Sequence, residues 1–198
     1  MHRRRGVSAL ARAIGMPTGR LSAPGDPRPM SDSSSPDIGT LVGQLAAGDA
    51  TLRAEAAERL CRAGSDAAVA AVPLVRACGD DDDQVREWAV AGLEELGPPP
   101  QGSTPQLVEL AGSRHPLVAY WAITLLGRSG KDAATASKVL AECLGSAADP
   151  SVRQRAAWAL GRLGSEAATA REALEKAATE PDPRLARLAR EALDSIGV

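Results

Sequence analysis

Apolar residues recur along this chain at helical spacing, with a long period superimposed on the short one. Between Asp149 and Gly164 the order DPSVRQRAAWALGRLG sets Val152, Ala156 and Leu160 four apart, behind an Asp and a Pro and ahead of a Gly. An Asp that can accept orphan amide hydrogens, a Pro suited to the first helical position and a closing Gly are the start and stop signals of a short helix. The same order closes at Gly64, Gly97, Gly130, Gly164 and Gly197, at spacings of 33 or 34 residues. A period in that range predicts stacked supersecondary units.

Each unit reads as helix A, a short loop and helix B. One Leu recurs in helix A (Leu41, Leu74, Leu107, Leu140, Leu174) and another in helix B (Leu60, Leu93, Leu126, Leu160, Leu193). Four residues before the second lies Ala56, Ala89, Ala122, Ala156 or Ala189, and four before that Leu52, Val85, Val118, Val152 or Leu185. Spacing of i, i+4, i+8 makes one buried stripe, and the small residue marks where a neighbouring helix crosses closest. The fourth repeat carries one extra residue, placed in the loop GSAADP, where it shifts neither helical face. Asp49, Asp82, Asp149 and Asp182 are predicted N-caps, with His115 ahead of Pro116 in the third repeat. Arg53, Arg86 and Arg153 follow the caps by four residues and predict a structural ladder to acids of the same or the next repeat. Asp80 to Asp83 read as a solvated helix start, because the alternating oxygens and distal carboxylate of a calcium loop are missing.

Repeat boundaries fall at about 35–64, 65–97, 98–130, 131–164 and 165–198, making 35–198 one repeat domain. Arg190 stands where earlier repeats have Ala57, Val90, Ile123 and Ala157; Arg59 stands where later ones have Gly92, Leu125, Ala159 and Ala192. Polar residues on the outer faces of terminal repeats keep a solenoid in solution, so the pattern predicts a five-repeat array. Residues 1–34 begin basic and turn rich in Pro, Gly and Ser, too poor in apolar surface to offset their ordering entropy. Disorder is expected there. Arg12 breaks the apolar stretch a signal peptide would need, and the change of composition marks Met30 as the expected natural start; a basic arm built on Arg3, Arg4 and Arg5 is the competing reading.

Composition supports an all-α reading. The chain has no Phe, one Tyr and three Trp, so the core must be built from Ala, Leu and Val, which suits closely packed helices. The formal net charge of −2 conceals an asymmetry: residues 1–29 hold six Arg and one Asp, leaving 17 basic against 24 acidic residues in the body. A net acidic body argues against a general phosphate-binding surface, so nucleic acid is not an expected partner. Cys61, Cys78 and Cys143 form no CxxC motif and the two histidines lie far apart, which predicts no metal site and reduced thiols in a cytoplasmic protein. No apolar run approaches the ~18 residues of a membrane span.

The frame D-P-x-V-R-x-x-A-A-x-A-L-G-x-L-G, met almost fully by Asp149 to Gly164, resembles the HEAT repeat, particularly the short bacterial kind also found in phycobilin lyases. Pro73 inside helix A of the second repeat resembles the proline that kinks helix A in many HEAT repeats. The resemblance covers about residues 36–198 and implies an all-α, right-handed α-solenoid of about five two-helix repeats. HEAT-like arrays serve as scaffolds, enzyme subunits, lyases and DNA-repair proteins, so the likeness speaks to fold more than to function.

In such a stack helix B is expected to line the concave side, and its variable positions collect all the aromatic residues. The candidate partner-binding set is Glu87, Trp88, Tyr120, Trp121, Gln154, Arg155, Trp158 and Arg187, centred on repeats 2 to 4. Exposed Trp, Tyr and Arg have the composition of an interface hot spot; the competing reading has the Trp rings filling gaps between Ala-rich helices. There is no Ser or Cys paired with His and an orienting carboxylate, no phosphate loop, and no His–Glu pair of the kind HEAT-like iron hydroxylases carry. His115, alone among polar neighbours, reads as a cap or surface residue. The sequence therefore predicts a non-catalytic protein–protein scaffold or adaptor with no cofactor. The alternative is a bilin-lyase-like or accessory enzyme subunit holding an aromatic ligand at the Trp patch.

Overall fold

The computed structural model describes residues 37–197, and the expectations for residues 1–34 fall outside them. Five helix pairs follow one another: α1 (Ile38–Gln44) with α2 (Ala50–Ala63), α3 (Ala71–Ala77) with α4 (Asp83–Glu95), α5 (Thr104–Ala111) with α6 (Pro116–Ser129), α7 (Ser137–Ser146) with α8 (Pro150–Leu163), and α9 (Arg171–Ala177) with α10 (Pro183–Ile196). No strand occurs among the described residues. The even-numbered helices are the B helices, and the array is an α-solenoid.

Local chemistry explains where each B helix begins. The Asp49, Asp82, Asp149 and Asp182 side chains accept amide hydrogens from the first turns of α2, α4, α8 and α10. His115 occupies the same position before α6 but makes no side-chain cap, and Ser113 Oγ accepts from its amide instead. At the other end Gly64, Gly130, Gly164 and Gly197 take positive φ, between 56° and 82°, a conformation glycine adopts without Cβ strain. Gly97 departs from this set. Three prolines follow it, α4 stops at Glu95, and Leu96 is already extended; Gly97 itself precedes a proline, a place disfavoured for helical geometry.

The helical stripe becomes the core. The helix A leucines are all buried, the five alanines of the B helices have no exposed surface, and Val85, Val118, Val152 and Leu185 are buried with them. The exceptions lie in the terminal repeats: Leu193 is half-buried, and Leu52 is 46% exposed. Its counterpart Val118 lies close to Gly79 at the end of the preceding α3, and no preceding repeat covers Leu52 among the described residues.

Helix A differs from expectation. It is split into a seven-residue 3₁₀ segment (Gly64–Ala70, Gly130–Ala136, Gly164–Ala170) and then an α-helix. Pro73 is not the cause, because the break precedes it and recurs where no proline is present, with Ala133 and Ala167 out of helical geometry. The repeated feature is the Ala-rich stretch after each glycine, which offers few side chains to hold a full helix in one register.

The stack contains one different joint. α2 packs on α4, α6 on α8 and α8 on α10, whereas the α4 and α6 backbones stand farther apart and meet through side chains. A Cβ added at Gly92 would lie 3.5 Å from Cys61 Cα, and one at Gly161 would lie 3.2 Å from Ala192 Cα, so B helices meet through these two rows. The contacts are Cys61 with Gly92 and Gly161 with Ala192, while Gly127 takes the Trp158 ring; the positions in the same register at the second junction are Glu94 and Leu125. Large residues at a crossing hold helix axes apart. The linker at that joint also lacks the 3₁₀ segment found at the other three.

The arginine ladder follows the same division. Arg53 forks onto Asp80 of the next repeat, at 2.7 and 2.8 Å, and Arg153 pairs with Glu180 of the next repeat. Arg86 instead turns back to Asp83 and the Asp80 carbonyl, because the third repeat has Ser113 where repeats 2 and 5 have Asp80 and Glu180.

Candidate partner-binding surface

The variable residues of α6, α8 and α10 build a compact polar-aromatic cluster. Trp158, on α8, leans on Gly127 of α6; any Cβ there would collide with the indole. One turn earlier on α8, the Arg155 guanidinium donates to Tyr120 Oη, and its Cζ lies 4.5 Å from the Tyr120 ring centroid and 5.0 Å from that of Trp158. A cation held between two rings and one hydroxyl is fixed by cation–π attraction as well as by the hydrogen bond. Gln154 donates to Asp182 Oδ2 at 2.7 Å, tying α8 to the cap of α10. That hydrogen bond, with those from the Leu185 and Arg184 amides, holds the Asp182 carboxyl below the usual carboxylate range.

Between α6, α8 and α10 these residues enclose a shallow depression of about 140 Å³, lined by Tyr120, Ser151, Gln154, Arg155, Trp158, Arg184 and Leu188. No carboxylate lines it. Tyr120, Arg155, Trp158 and Leu188 are half-buried, and Arg184 is exposed at the rim.

The structure brings together four of the eight residues singled out in the sequence: Tyr120, Gln154, Arg155 and Trp158. Arg187 lies one turn along α10 from Arg184, exposed and paired with Glu191 at 2.6 Å. Glu87 and Trp88 sit on α4, across the wider joint, and do not line the depression. Trp121 is corrected outright as a contact residue, since only 6% of it is exposed. It packs edge-on against Tyr120, and Arg128 covers it at 5.8 Å while donating to the Leu93 carbonyl at 2.7 Å and to that of Leu96. Burial, with the charge of Arg155 added, pushes the Arg128 pKa down. Trp121 and Arg128 thus fill the space where α4 and α6 stand apart. The centre of the cluster moves from repeats 2–4 to repeats 3–5.

Arg184 was missed by the sequence reading. The signal was present: it lies four residues before Leu188, on the same face of α10, in the row that holds Ser151 on α8.

The described residues offer little nucleophilic chemistry. Burial pushes the Cys78 thiol up to about 12 and also raises Cys61 and Cys143, whereas the reactive species is the thiolate. No group of three or more His, Cys, Asp or Glu stands close enough to hold a metal among the described residues. No described helix is long and apolar enough to cross a membrane.

The family model for HEAT repeats matches residues 104–194, from the start of α5 to the last turns of α10. This stretch is similar to HEAT repeats. Among solved structures, an engineered protein is similar at TM-score 0.60 and 25% identity over 80% of this chain and 78% of that one. A designed armadillo repeat protein in complex with a (KR)4 peptide matches at TM-score 0.60 and 18% identity, over 80% of this chain and 81% of that one. The CpcE–CpcF complex of phycocyanin lyase from Nostoc sp. PCC7120 matches at TM-score 0.57 and 21% identity, over 87% of this chain and 69% of that one. The last two likenesses bear on fold alone. No curated protein matches in sequence. The HEAT match covers the three repeats that build the Tyr120–Arg155–Trp158 cluster.

Proposed function

We propose that this chain is a non-catalytic interaction module that binds a protein partner on its B-helix surface, at the cluster of repeats 3 to 5. The supporting observation is the clamp of Arg155 between Tyr120 and Trp158 beside the depression. It presents two half-buried rings and a fixed cation to solvent, the residue types that dominate interface hot spots. Held by the fold before any partner arrives, these side chains lose little further freedom on binding. Their charge also separates this surface from the neighbour that holds a (KR)4 peptide, because the cations here belong to the repeat protein and a basic peptide would meet like charge.

The size of the depression favours a protein side chain over an aromatic cofactor. At about 140 Å³ it falls below the roughly 300–1,000 Å³ typical of small-molecule sites. The likeness to phycocyanin lyase keeps the lyase-type reading testable by titration with a linear tetrapyrrole. An unchanged absorption spectrum is the expected result.

The direct test is affinity capture from native lysate with wild type, Trp158→Ala and Tyr120→Ala. A partner retained by wild type and lost by both variants, with melting curves intact, is expected. Retention by both variants would remove this surface from consideration.

A further inference from the structure

The B-helix face changes sign along the stack. Its outward rows carry Glu55 and Glu58 on α2 and Glu87 on α4, then Leu117 and Tyr120 on α6, where the one cation is the half-buried Arg128 held on the Leu93 and Leu96 carbonyls, then Arg155 on α8 and Arg184 and Arg187 on α10. Two local pairs reduce this list: Glu58 accepts from Arg62 at 2.6 Å, and Arg187 donates to Glu191 at 2.6 Å. Glu55 and Glu87 remain exposed with no ion pair among the described residues. At the opposite end Arg184 is exposed, and Arg155 bonds only to the neutral Tyr120 hydroxyl. The free charges are therefore acidic on repeats 1 and 2 and basic on repeats 4 and 5, and the only cation between them, Arg128, is half-buried and tied to backbone carbonyls.

A nucleic acid carries one sign throughout and would be repelled by the first half of this face. A uniformly acidic or uniformly basic peptide would meet a repulsive end as well. We propose that the partner segment is itself charge-ordered: an extended stretch of polypeptide with an acidic, apolar block seated at the depression against Arg155, Arg184 and Leu188, and a basic block lying over Glu55 and Glu87. This rests on the reading that the B-helix face binds protein, and it adds the chemistry and order of what is bound. Helices stacked ~10 Å apart, with the α4–α6 joint wider, place the centres of the two charged regions at least about 30 Å apart, which an extended chain spans in about nine or ten residues. Opposed charges at both ends favour the matched placement and penalise the inverted one, so specificity comes from repulsion as much as from attraction.

The test uses the full chain and fluorescein-labelled synthetic peptides followed by anisotropy at low salt. The matched probe joins a Leu-Asp-Glu-Asp block to three lysines through nine Gly and Ser residues; others carry the acidic block alone, the lysines alone, or a three-residue spacer. The matched probe is expected to bind about tenfold more tightly than each of the others. Arg184→Glu and the double variant Glu55→Lys with Glu87→Lys should each remove about that factor, and all three substitutions together should leave the matched probe no tighter than the single-block probes. All three positions are exposed, and a Glu in the first turn of α10 suits the helix dipole, so folding is preserved.

Equal affinity for the matched and acidic-only probes, unchanged by Glu55→Lys with Glu87→Lys, would overturn the charge order while leaving a binding site at repeats 3 to 5. If no probe binds but the captured partner still depends on Trp158, the proposed segment chemistry is wrong and the surface stands. If no probe binds and capture ignores Trp158 and Tyr120, both fall.

Discussion

Ala156 has no exposed surface and sits at the centre of the α8 stripe, so its size is set by the packing around it. Ala156→Leu adds three carbons where no space exists and should cost about 1–3 kcal/mol, read as a lower melting temperature; an unchanged value would count against this stripe as the core face. Gly127 shows a different constraint. Its missing Cβ is the seat of the Trp158 ring, so Gly127→Ala must displace the indole. Because Ala gains roughly 0.5–1 kcal/mol of helix propensity over Gly, stability should change little while Trp158 emission shifts and partner affinity falls. A variant with wild-type emission would show that the ring does not depend on this seat. The sequence could not rank the three tryptophans. Trp88 and Trp121 hold equivalent slots, yet Trp121 is buried because Arg128 and the wide α4–α6 joint enclose it, and Trp158 is half-exposed because a glycine faces it.

At the scale of elements, caps and ladder arginines connect helix ends to neighbouring repeats. Asp80 accepts both hydrogen bonds of the Arg53 fork, and this chiefly holds its carboxyl below the usual carboxylate range, with the Asp82 amide adding to the effect. A folded-state pKa below the unfolded one contributes stability that is fully present above about pH 4 and is lost as pH falls through the depressed folded value. Asp80→Asn should therefore flatten the acid limb of a stability–pH curve measured by urea midpoint between about pH 5 and pH 2, while lowering the plateau near neutrality. An acid limb as steep as that of wild type would assign the dependence to the cap aspartates instead. The caps and their spacing were legible from the primary structure because capping is satisfied within four residues. The split of helix A was not, since the Ala-rich stretch carries the same letters in 3₁₀ and α form.

Across the whole molecule the unequal joint divides repeats 1 and 2 from repeats 3 to 5. Stability in a repeat array is close to a sum of repeat and interface contributions, so the weakest interface sets where the array first opens. Native-state hydrogen exchange should resolve two protection groups, α2 with α4 and α6 with α8 and α10, and protease should cut first between Gly97 and Thr104. One uniform protection level across all five repeats would contradict this. The joint was written in the sequence as Glu94, Leu125 and three prolines, but only the stack showed which rows face each other.

The sequence by itself determined the helical class, the repeat period, the buried stripe and the helix starts, because each follows from contacts within one helix or one repeat length. Tertiary structure decided the rest. Which tryptophan is buried, where Arg155 is clamped, how Arg184 joins the depression and where the stack loosens all depend on side chains some 30 residues apart meeting across a helix crossing. That crossing is fixed by the volumes on both sides of it, which a single repeat does not contain.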